Sequence, residues 1–150
     1  MLTEQLLDEY PADITMDAKA LAAAIDATIV CSQACTACAD ACLSEPDVAA
    51  STRCIRDDLD CADICATTSR VLSRHTGYDA RLTRAVLQAC IQACNTCADS
   101  CGEHRDHHPH CATCEQACRD CERACKALLD EVKPSGDAAP APHDAAPQSG

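Results

Sequence analysis

Sixteen cysteines fall in this 150-residue chain as four runs, and within each run they step by three, four or seven residues. The runs are Cys31, Cys35, Cys38 and Cys42; Cys54, Cys61 and Cys65; Cys90, Cys94, Cys97 and Cys101; and Cys111, Cys114, Cys118, Cys121 and Cys125. Residues three and four apart share one face of an α-helix, so each run is a stripe of thiols along a helix. Few glycines and no strand-like run of β-branched residues accompany them, which points to an all-α protein.

Each stripe extends into a longer heptad register. The first reads Leu21, Ala24, Thr28, Cys31, Cys35, Cys38, Cys42, and the second Ser51, Cys54, Asp58, Cys61, Cys65, Thr68, Leu72. The third reads Leu87, Cys90, Cys94, Cys97, Cys101, His104, His108, and the fourth Cys111, Cys114, Cys118, Cys121, Cys125, Leu128, Val132. Alternating steps of three and four make the seam of a helical bundle, so the cysteines are expected in its core.

Punctuation sets the helix limits. Pro11 stops a short amphipathic turn over residues 2–7, and residues 1–14 form a separate N-terminal segment. Thr15 is the expected N-cap of a first helix running to about Leu43, with Asp17 in its first turn. Ser44-Glu45-Pro46 breaks it, Asp47 starts a second helix to about His75, and Thr76-Gly77 ends that one. Asp79 caps a third, to about Arg105, and Pro109 suits the first turn of a fourth that fades near Val132. Residues 133–150, rich in Pro, Ala, Gly, Ser and Asp, read as a disordered tail. The expectation is one domain over 15–132, an up-down-up-down antiparallel four-helix bundle with a cysteine-lined core.

A duplication underlies this. QACTACADAC at 33–42 matches QACNTCADSC at 92–101 in seven of ten positions, and Cys54, Cys61 and Cys65 fall on Cys114, Cys121 and Cys125 at an offset of 60. A repeated helical hairpin explains both offsets. Folding the hairpins gathers Leu21, Ile25, Val71, Leu72, Leu82, Val86, Leu128 and Leu129 at one end as an apolar plug. The thiol-filled half then opens toward the histidine-rich turn.

A formal net charge of −12 leaves no basic patch for nucleic acid or an anionic membrane. The acidic start, MLTEQLLDEYPAD, has no signal-peptide character, and no later stretch reads as long and apolar enough to span a bilayer. A cytosolic location with reduced thiols is expected. Disulfides between neighbours on one helix face would be strained, which opposes a secreted scaffold. No nucleophile–base pair, phosphate loop or cofactor fingerprint suggests an enzyme.

Thiolates select Cu(I), Zn(II) or iron–sulfur clusters. Mere packing would be served by Ala without the oxidation risk. A buried zinc site with four thiolates carries a net charge of about −2, and several together would be costly to desolvate. One Cu(I) per thiolate is neutral at any filling. Cys35-x2-Cys38-x3-Cys42 lacks the second C-x2-C step of a bacterial ferredoxin run, because Ala41 interrupts it. Cu(I) is favoured, with a zinc- or cadmium-sequestering bundle and an electron-transfer cluster protein as alternatives.

With CADAC, CADIC and CADSC on helices, a thiol-lined core and a His-rich turn before the last helix, residues 15–132 resemble the cytosolic copper storage proteins. That resemblance implies Cu(I) storage, a homotetramer of bundles, and histidines at the open end. His104 and His108 continue the core register and are the candidate entry residues, whereas His107 and His110 lie off it. Asp58 stands where the duplicated half has Cys118 and so withholds a thiol there.

Overall fold

The Asp17 carboxylate accepts the Ala20 N–H at 2.8 Å, so the first long helix is capped there and not at Thr15. In this computed structural model, which describes residues 1–133, a short helix α1 (Leu2–Asp8) precedes α2 (Ala18–Leu43), α3 (Thr52–Leu72), α4 (Ala80–Gly102) and α5 (Pro109–Glu131). The tail expected over 133–150 lies outside the described residues beyond Lys133.

Local chemistry sets the other boundaries. A 3-10 turn, Val48–Ser51, leads into α3, which stops at Leu72 rather than His75. There the chain tightens, with the Arg74 N–H donating to the Val71 carbonyl at 3.2 Å. Gly77 then takes a φ of 65° in the connection, a conformation that costs glycine little. Asp79 caps α4 as expected, accepting from the Arg81 and Leu82 N–H groups. That helix ends at Gly102 and not Arg105, because residues 103–107 coil into successive turns. His107 and His108 N–H groups both donate to the His104 carbonyl there, at 3.0 and 2.9 Å. Pro109 is the first residue of α5, where its missing N–H costs nothing.

The long helices close a ring in which α2 touches α3 and α5, and α4 touches α3 and α5. The diagonal backbones stay apart, so only side chains meet on the axis. Those side chains are the predicted seams. Every register position from Leu21 to Cys42, Ser51 to Leu72, Leu87 to Cys101 and Cys111 to Val132 is buried. α1 packs on α2 through Leu7, leaving Leu2 and Leu6 exposed.

At the end away from the His104–His110 turn, Leu21, Leu72, Leu87 and Leu128 are fully buried and form the plug. Leu82 is not part of it and is 54% exposed. It sits in the first turn of α4, one position off the inward register carried by Thr83 and Leu87. One further expectation is corrected. α2 does have the length and hydropathy of a membrane span. Its apolar character comes largely from Ala and Cys, and Cys31, Cys35, Cys38 and Cys42 face the bundle interior.

Candidate metal centre

Because each stripe repeats at helical spacing, four helices converge their thiols on one line. All sixteen cysteine side chains are buried and unpaired as disulfides. The Cys31 Sγ lies 3.8 Å from Cys35 and Cys118, 3.9 Å from Cys61 and 4.0 Å from Cys94, so one sulfur touches all four long helices. Deeper, Cys65 stands 3.7 Å from both Cys90 and Cys94, and Cys125 reaches Cys90 at 3.8 Å. Toward the histidine turn, Cys35 meets Cys97 at 3.8 Å and Cys114 at 3.7 Å, and Cys54 meets Cys101 at 3.6 Å.

The column divides into overlapping groups whose donor atoms all lie within 4.8 Å of one another. Cys31, Cys65, Cys94 and Cys121 form one, which shares Cys31 with the group Cys31, Cys35, Cys61 and Cys118. That group shares Cys35 and Cys118 with Cys35, Cys97, Cys114 and Cys118, and Cys38, Cys42, Cys54 and Cys111 form a further one. Sharing members between groups makes a continuous path for a soft ion rather than isolated cages. Hydrogen bonding from Cys101 and burial hold the Cys97 thiol above the ordinary cysteine range, and burial pushes Cys111 up to about 12. Without metal these two thiols are therefore protonated near neutral pH.

Asp58 interrupts the sulfur. Fully buried, its Oδ1 accepts thiol hydrogen bonds from Cys97 at 3.0 Å, Cys114 at 3.3 Å and Cys101 at 3.4 Å. Burial raises its carboxyl to about 7, while the Cys97 hydrogen bond favours the charged form. It joins Cys38, Cys54 and Cys101 in a group with mixed sulfur and oxygen donors.

At the open end the structure adds a residue that register counting missed. His110 Nδ1 lies 3.4 Å from the Cys38 sulfur and 3.6 Å from that of Cys111. Its Nε2–H donates to Glu45 at 2.9 Å, which turns the Nδ1 lone pair toward the thiols. His108 also meets Glu45, at 3.1 Å, and its ring stacks on His110 with centroids 5.4 Å apart. The His110 hydrogen bond holds the Glu45 carboxyl below its usual range. His104 lies behind, 6.0 Å from the His108 ring, and His107 is exposed. Among the described residues, His110 is the one of these four within hydrogen-bonding distance of a thiol. Heptad counting fails here because the chain leaves the helix at Gly102; the available signal was a histidine directly before the first cysteine of α5.

A helical ring that encloses a column of reduced thiols, with imidazoles at one end and leucines at the other, defines a thiolate metal-binding protein. Residues 17–130 match the family model for copper storage protein, and the chain belongs to that family. The copper storage protein Ccsp from Streptomyces lividans, in a structure loaded with 10 copper equivalents, is 56% identical. The alignment covers 87% of this chain and 99% of that one, at a TM-score of 0.85. A structure of the cytosolic copper storage protein from the same organism with five coppers is 58% identical, covering 77% and 96% of the two chains at a TM-score of 0.76. The uncharacterized cysteine-rich protein YhjQ of Bacillus subtilis (strain 168) is 34% identical over 95 residues, which is 63% of this chain and 82% of that protein.

Proposed function

We propose that this chain stores Cu(I) in the cytosol, by binding and without catalysis, in a unit spanning about residues 15–132. The observation that carries the reading is the column of sixteen buried thiols, with sulfurs of facing helices as close as 3.6–4.0 Å. We read the ring of helices as an up-down-up-down antiparallel four-helix bundle. Supporting this, sulfur pairs across α2 and α5 descend in one helix as they rise in the other, from Cys31–Cys118 to Cys38–Cys111. The pairs Cys54–Cys101 and Cys65–Cys90 do the same across α3 and α4. The Streptomyces lividans relatives described with bound copper support the cargo. Assembly as a homotetramer is what the family resemblance implies.

Uptake exchanges a proton for an ion: the S–H bond breaks, a Cu–S bond forms and the thiol proton leaves to solvent. The interior keeps its charge as it fills. Loading of the apo-protein in weak buffer should therefore release about one proton per Cu(I). Release of about four protons per ion, in a form that prefers Zn(II), would instead mark four-thiolate zinc sites.

His104, His108 and His110 form the entrance, and Glu45 orients the two nearest the thiols. An ion held at His110 Nδ1 passes directly to Cys38 or Cys111. Replacing His108 and His110 by Ala should slow Cu(I) uptake, and removal by a chelator, by on the order of tenfold. Final capacity should stay nearly unchanged. Stopped-flow loading checks this, and unaltered rates would assign the histidines to a solvated turn.

A further inference from the structure

At the far end, past the leucine plug, His75 has both ring nitrogens buried with no hydrogen-bond partner in the protein. A neutral imidazole carries one N–H and one lone pair, and leaving both unmatched costs several times an ordinary hydrogen bond's net worth. The ring lines a cavity of about 80 Å³ together with Asp13, Ile14, Thr15, Met16 and Tyr78. Met16 is itself buried, at 9% exposure, just before α2. Tyr10 closes over the site: its ring meets His75 edge-on at 5.1 Å, and its hydroxyl pairs with Thr76 at 3.0 Å.

We propose that this cavity is a second soft-metal site, in which a His75 ring nitrogen and the Met16 thioether bind one Cu(I) ion separately from the thiol column. Imidazole and thioether are soft or borderline donors that suit Cu(I) at low coordination number. One carboxylate, Asp13, can balance the single positive charge, and it is too few for Mg(II) or Ca(II), which want several oxygens. Burial lowers the His75 pKa, which keeps its lone pair available near neutral pH. Fully buried Leu21, Leu72, Leu87 and Leu128 separate the cavity from the thiols. The histidine entrance lies beyond the other end of α2, whose 26 residues span about 39 Å. The site therefore fills independently of the store.

The chain carries its own reporter. It has no Trp and no Phe, and its two tyrosines, Tyr10 and Tyr78, both flank His75. Full-length protein is titrated anaerobically with Cu(I) past the filling of its thiols while tyrosine emission is followed. The expected result is a late phase of about one ion per chain that changes tyrosine emission. That phase should vanish in both His75→Ala and Met16→Leu, with the thiol phase unchanged in each. Met16→Leu conserves shape, so a fold defect in the histidine variant would not mask the answer. A late phase surviving in both variants, or tyrosine emission that follows thiol filling identically in all three proteins, would overturn the proposal. Failure of thiol storage would leave the tyrosine-linked phase in place and is thus a separate outcome.

Discussion

An anaerobic titration with Cu(I) is expected to saturate the core at on the order of 16 ions per chain, one for each thiol. Charge sets the ratio. A buried column cannot accumulate net charge without a large desolvation cost, and one monovalent ion per thiolate leaves it neutral at every stage. Geometry agrees. Metal–thiolate bonds of about 2.3 Å let one ion join two sulfurs up to roughly 4.6 Å apart. The groups in the column already hold their donor atoms within 4.8 Å, so filling needs little rearrangement. Since the empty thiols pack as small neutral hydrophobes under a leucine plug, the apo-protein should be helical before any copper arrives. Saturation near four ions, measured by chelator competition with thiols counted in parallel, would contradict the ratio.

Replacing Asp58 by Asn should make the apo-protein more stable at pH 8 and remove most of a pH dependence. Burial raises the Asp58 carboxyl from 3.8 to about 7. The folded protein thus holds a proton that the unfolded chain has already lost between those values, and stability falls as pH rises from about 4 to about 7. A gap of about 3 units corresponds to about 4 kcal/mol lost across that window. Asn keeps the shape and a polar group for the Cys97, Cys101 and Cys114 thiols but cannot ionise. His75, with its lowered pKa, changes stability in the opposite direction in both proteins, so the difference between them isolates Asp58. Urea unfolding of both proteins at pH 4.5 and pH 8 checks this. An equal slope in the variant would mean that Asp58 stays charged throughout.

The plug and the column were legible in the residues because helix periodicity is local: a turn of helix needs only four consecutive residues to place a side chain on a face. Leu21, Thr28, Cys35 and Cys42 share one face whatever surrounds them, and so do Cys54, Asp58, Cys61 and Leu72. Capping was legible where one side chain decides it, as at Asp79, and misjudged where two candidates compete, as at Thr15 and Asp17. Leu82 was misplaced because hydrophobicity alone does not say which side of a first turn looks inward.

What the sequence by itself determined, then, is four thiol stripes, a duplicated hairpin and a soft-metal chemistry, all of which follow from spacing and side-chain type. The tertiary structure alone decided how the stripes meet. It set three thiols around Asp58 and raised its pKa, and it broke α4 at Gly102 so that His110, off the counted register, came to face Cys38. It also brought Tyr10, Met16 and His75 together from distant parts of the chain. Turns and chain crossings depend on contacts between segments far apart in sequence, and no local period encodes them.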